Sequence, residues 1–520
     1  MKKLDPGTAL DGFVIGRCIH AGGMAHIYEV SYADQHEPPF PLVMKVPRMT
    51  AGDGAENIVS FEVEHQLMQV LQGRHVPRFV AAGDLAQLPY LVMEHVPGQT
   101  LQQWMDDKAQ AQVVPQADEI ARVGAALARA VHSLHKQNAC HLDLKPANVL
   151  LHPEGHAVLL DFGLSSHAHY PDLLAEELRK AVGSPVWIAP EQVVGVRGDP
   201  RSDVFAIGVM LYELATGELP FGNPQTAAGM RQRLWMDPPP PRSLRADVPP
   251  WLQEVILRCL APLAAERYPS AAHLAMDLEN PDQVRLTARG HQLQKTAFLT
   301  HLKRWLRTAG MQYQPSPLPS QQIDSVPIVM VAVPHYDVSD ATLYSLREAV
   351  ARSLGIRPGA RLAVVTVISP GMSSTTDSDK SETAVHRQYL NMLRQWAQPL
   401  DLEGHQTSFH VLESTDVAQA LVRYAEGNQV SMIVMGAATH GLQMQRLVAT
   451  VPIKVAMDAP CTVVLVKQSL PFEQLHEGEP DPEVVARAQA QASGELGAVL
   501  IGWAKKMARE RAIFEKAGDP

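Results

Sequence analysis

Paired cysteines are the first thing this 520-residue chain lacks. Its four cysteines, Cys18, Cys140, Cys259 and Cys461, are far apart and form no C-x-x-C pair. That argues against a disulfide framework and against a zinc site. No apolar run approaches the ~18–20 residues needed to span a bilayer. The opening MKKLDPGTALDG has no apolar stretch of signal-peptide length. The expectation is a soluble, cytoplasmic protein without a transmembrane segment. Positive charge is also in deficit: the formal net charge is −10, which argues against a general nucleic-acid binder. No repeat of solenoid period occurs. What the chain does have is 46% hydrophobic residues, enough for packed globular folds. At this length several domains are expected.

Residues 13 to 46 read as short strands with turn signals, such as GFVIGRCIH and PFPLVMKV. The pattern then turns helical. ENIVSFEVEHQLMQVL places Val59, Val63, Leu67 and Val70 at helical spacing. EIARVGAALARAVHSLH is amphipathic, and DVFAIGVMLYELATG is apolar almost all round, the mark of a buried helix. From Gln283 to Ile323 there is no acidic residue, and the stretch ends in QPSPLPSQQ, a linker composition. Beyond it, apolar strands (VPIVMVAV, RLAVVTVI, TSFHVL, SMIVMG, CTVVLV) alternate with helical patterns. That alternation predicts an open parallel five-stranded α/β sheet.

The densest chemistry lies in CHLDLKPANVLL, residues 140 to 151. Phosphoryl transfer needs a carboxylate to take the proton of an attacking hydroxyl, a role open to Asp143. It needs a cation near the moving group, which Lys145 can supply, and oxygen ligands for a metal, of which Asn148 can be one. Asp161-Phe162-Gly163 follows the apolar strand HAVLL, so Asp161 is a second candidate ligand for a hard cation. Upstream, Lys45 ends the strand PLVMK, where its ammonium can grip nucleotide phosphates. Glu64, on the next helix, can pair with it.

These residues, in this order, resemble the protein-kinase signature set. H-L-D-L-K-P-A-N, D-F-G, A-P-E at 189–191 and the strand-end lysine all match, over roughly residues 10 to 280. YLVMEHVPGQTL looks like the hinge between lobes, and GSPVWIAPEQ like the end of an activation segment. The lysine two after the catalytic Asp is similar to serine/threonine kinases, and GGMAHIY and APEQ look bacterial. The resemblance implies a bilobal α+β fold, ATP with magnesium (or manganese), and protein substrates bearing Ser or Thr. It implies Asp143, Lys145, Lys45 and Glu64 as catalytic residues, with Asn148 and Asp161 on the metal. It implies a nucleotide pocket from Ile19, Gly22, Gly23, Ile27, Val43, Met93, Glu94, Val96 and Leu150. It further implies that Arg267 pairs with Glu191, that Asp203 braces the catalytic loop and that Ser184 contacts it.

Two departures stand out. The pattern G-x-G-x-x-G falls on His20 to Ala25 and keeps only its middle glycine, Gly22, so backbone approach to phosphates is hindered. His20 either swings to solvent or lies over the nucleotide. Leu142 stands where the family commonly has an arginine that binds a phosphate on the activation loop. The expectation is a non-RD kinase that does not depend on loop phosphorylation, its loop ordered by packing. DLLAEELRKA within that loop has helical charge spacing. The reading from another class is a pseudokinase scaffold that senses nucleotide and recruits partners.

Residues 325 to 467 look like a universal stress protein domain. Its nucleotide-binding glycine pattern falls on Gly436, Thr439, Ala449 and Thr450, and its first-strand aspartate on Pro334. That degraded motif argues against ATP binding in the family's manner. The resemblance allows a homodimer through the last strand, CTVVLV. The expected organisation is a kinase domain at 10–280, a basic helical linker at 281–324, the universal stress protein-like domain at 325–467 and a helical tail at 468–520. In the linker, Phe298, Leu302, Trp305 and Leu306 fall on one helical face. That face suits a membrane surface, a partner, or docking on the acidic first domain.

Overall fold

A computed structural model of the chain describes residues 4–296, apart from 23–24, 35, 49–54, 85–87, 171, 173, 175–183 and 225. It also describes 301, 304–305 and 327–466, apart from 335–339, 356–359, 370–379, 401, 403–404 and 438–449. The side chains of 55–58, 227, 340–341, 355 and 380–387 are outside the description. So are the predicted tail helix, most of DLLAEELRKA, and all of the linker's apolar face except Trp305.

Turn-rich sequence at the start gives six strands, β1 Ala9–Leu10, β2 Phe13–Ala21, β3 Ala25–Tyr32, β4 Leu42–Pro47, β5 Phe79–Ala82 and β6 Leu91–Glu94. They form one antiparallel sheet in the order β1-β2-β3-β4-β6-β5. Helix α1, Ala55–Met68, follows β4. Val59, Val63 and Leu67 face the core. Val70 falls beyond the end of α1 and is exposed, so the predicted apolar face is one residue too long.

The helical half follows: α2 Leu101–Gln110, α3 Ala117–Lys136, α4 Pro200–Thr216, α5 Pro250–Cys259 and α6 Ala271–Glu279. Helix α4 shows why its sequence is apolar all round. It lies among α3, α5 and α6 at the centre of the largest core cluster, with Phe205, Ile207, Val209 and Tyr212 fully enclosed. Its ends are set by local chemistry: Asp199 caps the N-terminus by accepting from Arg201 N, Pro200 opens the first turn, and Gly217 closes it at φ 73°. The short strand β7 Gln99–Thr100 leads into α2, and β8 Ala139–Cys140, β9 Val149–Leu151, β10 Ala157–Leu159 and β11 Ser166–His167 lie between α3 and α4. They make a three-stranded sheet, β10-β9-β7, and the pair β11-β8.

The second domain is a five-stranded, all-parallel sheet. Its strands are β12 Ile328–Ala332, β13 Arg361–Ile368, β14 Gln406–Glu413, β15 Met432–Gly436 and β16 Thr462–Val466, in the order β14-β13-β12-β15-β16. Helices α7 Asp340–Gly355, α8 Lys380–Ala397, α9 Val417–Gly427 and α10 Val451–Asp458 connect them. β12 and β13 are buried at every position, as expected for strands covered on both faces.

The second domain packs directly on α6. Ala272 and Met276 belong to the same apolar cluster as Ile328, Met330, Ala418 and Leu421. Arg361, at the start of β13, is 1% exposed and donates from Nη1 to Asp277 Oδ1 at 2.6 Å. Gln283 covers the edge of β14: its Nε2 donates to Phe409 O at 2.6 Å and its Oε1 accepts from Phe409 N at 2.5 Å. A side-chain amide thus takes the place of a missing strand. The described part of the linker also docks on the first domain. Thr296 Oγ1 donates to Asp237 Oδ2 at 2.8 Å, and Arg304 Nη1 reaches Asp237 Oδ1 at 2.6 Å.

Candidate active site

The CHLDLKPANVLL loop runs from β8 through a single 3-10 turn, Pro146–Asn148, into β9. Leu142 adopts φ 62°, a strained conformation for a branched residue. It is held there by its surroundings. Asp203 Oδ1 accepts from Leu142 N at 2.8 Å, Asp203 Oδ2 accepts from His141 N at 2.9 Å, and Gln192 Nε2 donates to Leu142 O at 2.9 Å. Burial opposes ionisation of Asp203, but the His135 ring, 2.8 Å away, and nearby donors hold its carboxyl below the usual range. The brace is therefore charged.

Asp143 is buried, and its carboxylate is fixed on both oxygens. Oδ1 accepts from Ser184 N and Ser184 Oγ, each at 2.9 Å, and Oδ2 accepts from Lys145 Nζ at 2.8 Å and Asn148 Nδ2 at 3.3 Å. Asn148 Nδ2 also donates to Asp143 O at 3.0 Å. With its amide nitrogen so engaged, Asn148 offers its carbonyl oxygen as the remaining acceptor.

Lys45 reaches this loop from β4. Its Nζ donates to Glu64 Oε1 and Oε2 at 2.7 and 2.6 Å and to Asp161 Oδ1 at 3.0 Å. Burial alone would lower the Lys45 pKa; the Asp161 and Glu64 carboxylates outweigh it and keep the ammonium charged. In return the Lys45 charge, against the opposing effect of burial, brings Asp161 down to about 2. Phe162 is fully buried, its ring 5.3 Å from that of His141. Gly163 lets α1 close on this turn, since a Cβ there would sit 2.3 Å from Ser60 Oγ.

Past the loop, Glu191 accepts from Arg267 Nη1 and Nη2 at 2.7 and 2.8 Å and from Ser202 Oγ at 2.7 Å. Arg233 is fully buried and donates to the carbonyls of Pro185 and Ile188. Gln192, His135 and Arg233 all support the site and were not predicted. They lie in different elements; Gln192 closes the APEQ stretch, which assigns it no contact, and His135 and Arg233 belong to no motif.

Residues 15–277, just over half of the chain, match the family model described as protein kinase domain. The chain belongs to the protein kinase family. Residues 328–467 match the universal stress protein family. Among similar proteins, serine/threonine-protein kinase PknB of Mycolicibacterium smegmatis is 29% identical over 52% of this chain and 43% of that protein. Serine/threonine-protein kinase Pkn1 of Myxococcus xanthus is 30% identical over 54% of this chain and 40% of that protein. Serine/threonine-protein kinase PknL of Mycobacterium tuberculosis is 29% identical over 46% of this chain and 58% of that protein. The match spans less than two thirds of each relative's length.

The residues expected to line a nucleotide pocket are less uniformly placed than those of the catalytic loop. Val43 and Leu150 are buried, Ile27, Met93, Glu94 and Val96 are half-buried, and Ile19 is exposed. His20 is exposed, yet its ring lies back over the hairpin: a Cβ on Gly22 would meet His20 Nε2 at 2.9 Å. Gly22 N donates to Ala25 O at 3.0 Å and closes the turn. Gly23 lies outside the described residues.

In the universal stress protein domain, Pro334 follows β12, Gly436 ends β15 and Thr450 precedes α10, while Thr439 and Ala449 are outside the description. The kinase domain also gathers His152, Glu154 and His156 on the β9–β10 turn, with ligand atoms within 4.8 Å of one another. The two rings are stacked at 4.2 Å, and Glu154 N donates to His152 Nδ1 at 3.1 Å, so that nitrogen's lone pair is already engaged. This cluster is not arranged as a cation cage.

Proposed function

We propose that this chain is a serine/threonine protein kinase that transfers the γ-phosphoryl group of ATP to Ser or Thr hydroxyls of proteins. The observation that carries the reading is the double fixation of the Asp143 carboxylate beside Lys145, opposite the Lys45–Glu64–Asp161 cluster. In this reading Asp143 takes the proton of the attacking hydroxyl. The new O–P bond forms as the bond from the γ-phosphorus to the β–γ bridging oxygen breaks, and ADP leaves. Lys145 offsets charge on the moving group, and Lys45, steadied by Glu64, holds the α/β-phosphates. Asn148 and Asp161 suit magnesium, or manganese, because an amide carbonyl and a firmly ionised carboxylate are hard oxygen donors. Such an ion supplies charge neutralisation at the phosphates. Val43 and Leu150 sandwich the adenine, Ile27 lines its pocket, and Met93, Glu94 and Val96 form the hinge side.

Leu142 supports a non-RD kinase whose activity does not need loop phosphorylation. The universal stress protein domain serves regulation or self-association. β16 ends its sheet, and Leu465 is 40% exposed there, which supports pairing of two chains along this edge. Sedimentation that gives one chain mass at every concentration would exclude such a dimer.

Magnesium and labelled ATP, added to the purified chain beside a Lys45→Ala variant, test the main reading. The expected result is incorporation of label at Ser or Thr by the parent and little by the variant. Nucleotide binding without transfer by the parent would favour the pseudokinase scaffold instead.

A further inference from the structure

Leu142 removes a cation from the catalytic loop, and the structure holds another cation nearby. We infer that Arg197, paired with Asp172, is the positioning residue that ties Asp172 to Leu164 and so holds the start of the activation segment in its working place without a phosphate. The inference rests on the phosphotransfer reading above.

Arg197 lies just past the short helix Pro190–Val193, between Gly195 and Gly198, both at positive φ. Its Nε donates to Asp172 Oδ2 at 2.7 Å and its Nη2 to Leu164 O at 2.8 Å. One guanidinium therefore ties the start of the segment, directly after Gly163, to a point eight residues further on (172 − 164). Side-chain exposure is 12% for Arg197 and 27% for Asp172, so the pair is partly shielded from solvent and salt. The neighbouring acid does not compete for it, because Asp199 is taken by Arg201 at 2.7 and 2.9 Å. Around this lock the segment is held by ordinary backbone contacts. β11 pairs with β8, Ala168 N donates to Asn138 O at 2.9 Å, and Ser165 Oγ donates to His141 O at 3.0 Å. Leu142 itself is buried, with no charge to offer.

The chemistry explains the consequence. An arginine fork binds a carboxylate or a phosphate with the same paired donors. A loop that acquires its anion by phosphorylation is ordered only when modified. A loop that encodes the anion as Asp172 carries its partner for the arginine in the sequence itself and needs no modification to acquire it. Arg197 and Asp172 would hold the start of the segment without any modification, and control would have to come from elsewhere in the chain.

The test compares phosphatase-treated parent, Asp172→Ala, Asp172→Asn and Asp172→Glu in the full-length chain, with Asp143→Ala as the inactive control. The parent should keep its activity after phosphatase. Asp172→Ala and Asp172→Asn should lose kcat by about tenfold with little change in KM for ATP, within the usual coupling between a switch and a site. Asp172→Glu should recover most of the rate, and amide hydrogen exchange over residues 164–172 should rise in the Ala and Asn variants only. Unchanged kcat and unchanged exchange in Asp172→Ala would overturn the lock, as would loss of parent activity on dephosphorylation. A parent no more active than Asp143→Ala would sink the phosphotransfer reading instead, and the exchange measurement would still decide the lock.

Discussion

Asp143→Ala is expected to lower kcat by about 10²–10⁴-fold, the range general-base removal usually costs, with a smaller change in KM for ATP. The asymmetry follows from what Asp143 touches. Its carboxylate faces Lys145, which is assigned above to the transfer step, and Asn148 and Ser184. Lys45, which would hold the nucleotide, is anchored by Glu64 and Asp161. Removing Asp143 also strands the Ser184 and Asn148 donors, which would cost stability of about 1–3 kcal/mol. Asp143→Asn separates the two effects, since the amide keeps the shape and part of the hydrogen bonding while losing the base. Single-turnover rates of both variants, read beside their melting temperatures, check this. If Asp143→Asn retained near-parental kcat, Asp143 would not be the base.

What the sequence made legible is what is local in it. Asp143, Lys145 and Asn148 lie within six positions (143–148), and their mutual contacts are short-range bonds that a loop of that length enforces. Lys45 and Asp161 were legible because an apolar strand fixes where each side chain emerges, although Lys45 lies inside β4, Leu42–Pro47, rather than at its end. The parallel sheet was legible because strands buried on both faces must be continuously apolar. Long-range polar pairs were not. Arg361 reads as a charged residue opening a strand, and nothing in its neighbourhood indicates a partner 84 residues away. Gln283 as an edge cover and Arg197 as a segment tie have the same character: their partners are set by how elements dock, not by spacing. His20 was left with two orientations because a side chain on a hairpin takes its direction from the turn. The structure lays its ring over Gly22.

Arg361→Ala is expected to destabilise the junction between kinase and universal stress protein domains by about 3–5 kcal/mol, the usual cost of breaking a buried ion pair from one side. Arg361 and Asp277 are 1% and 4% exposed, so water cannot replace the lost partner. Asp277 would keep only Tyr268, whose hydroxyl donates to its Oδ2 at 2.7 Å. A pair this buried is costly to assemble as well as to break. Replacing both members, as in Arg361→Met with Asp277→Leu, should therefore recover most of the loss. Acid should weaken the same junction. His273 on α6, His410 on β14 and His132 on α3 are buried as neutral rings. Burial brings His132 and His410 down to about 3 and His273 well below its usual range, with Arg361 adding repulsion at His410 and His273. An unfolded histidine binds its proton near pH 6.5. The folded protein binds fewer protons below that value, so stability is complete above about pH 6.5 and falls as pH drops toward 3. Because two packed domains need not unfold in one step, hydrogen exchange at α6 and β13 is the measurement of choice. Arg361→Ala should raise exchange in both elements, and His410→Asn should flatten part of the acid response. Equal protection of α6 and β13 in parent and Arg361→Ala would show that the apolar contacts of Ala272 and Met276 hold the domains together without the ion pair.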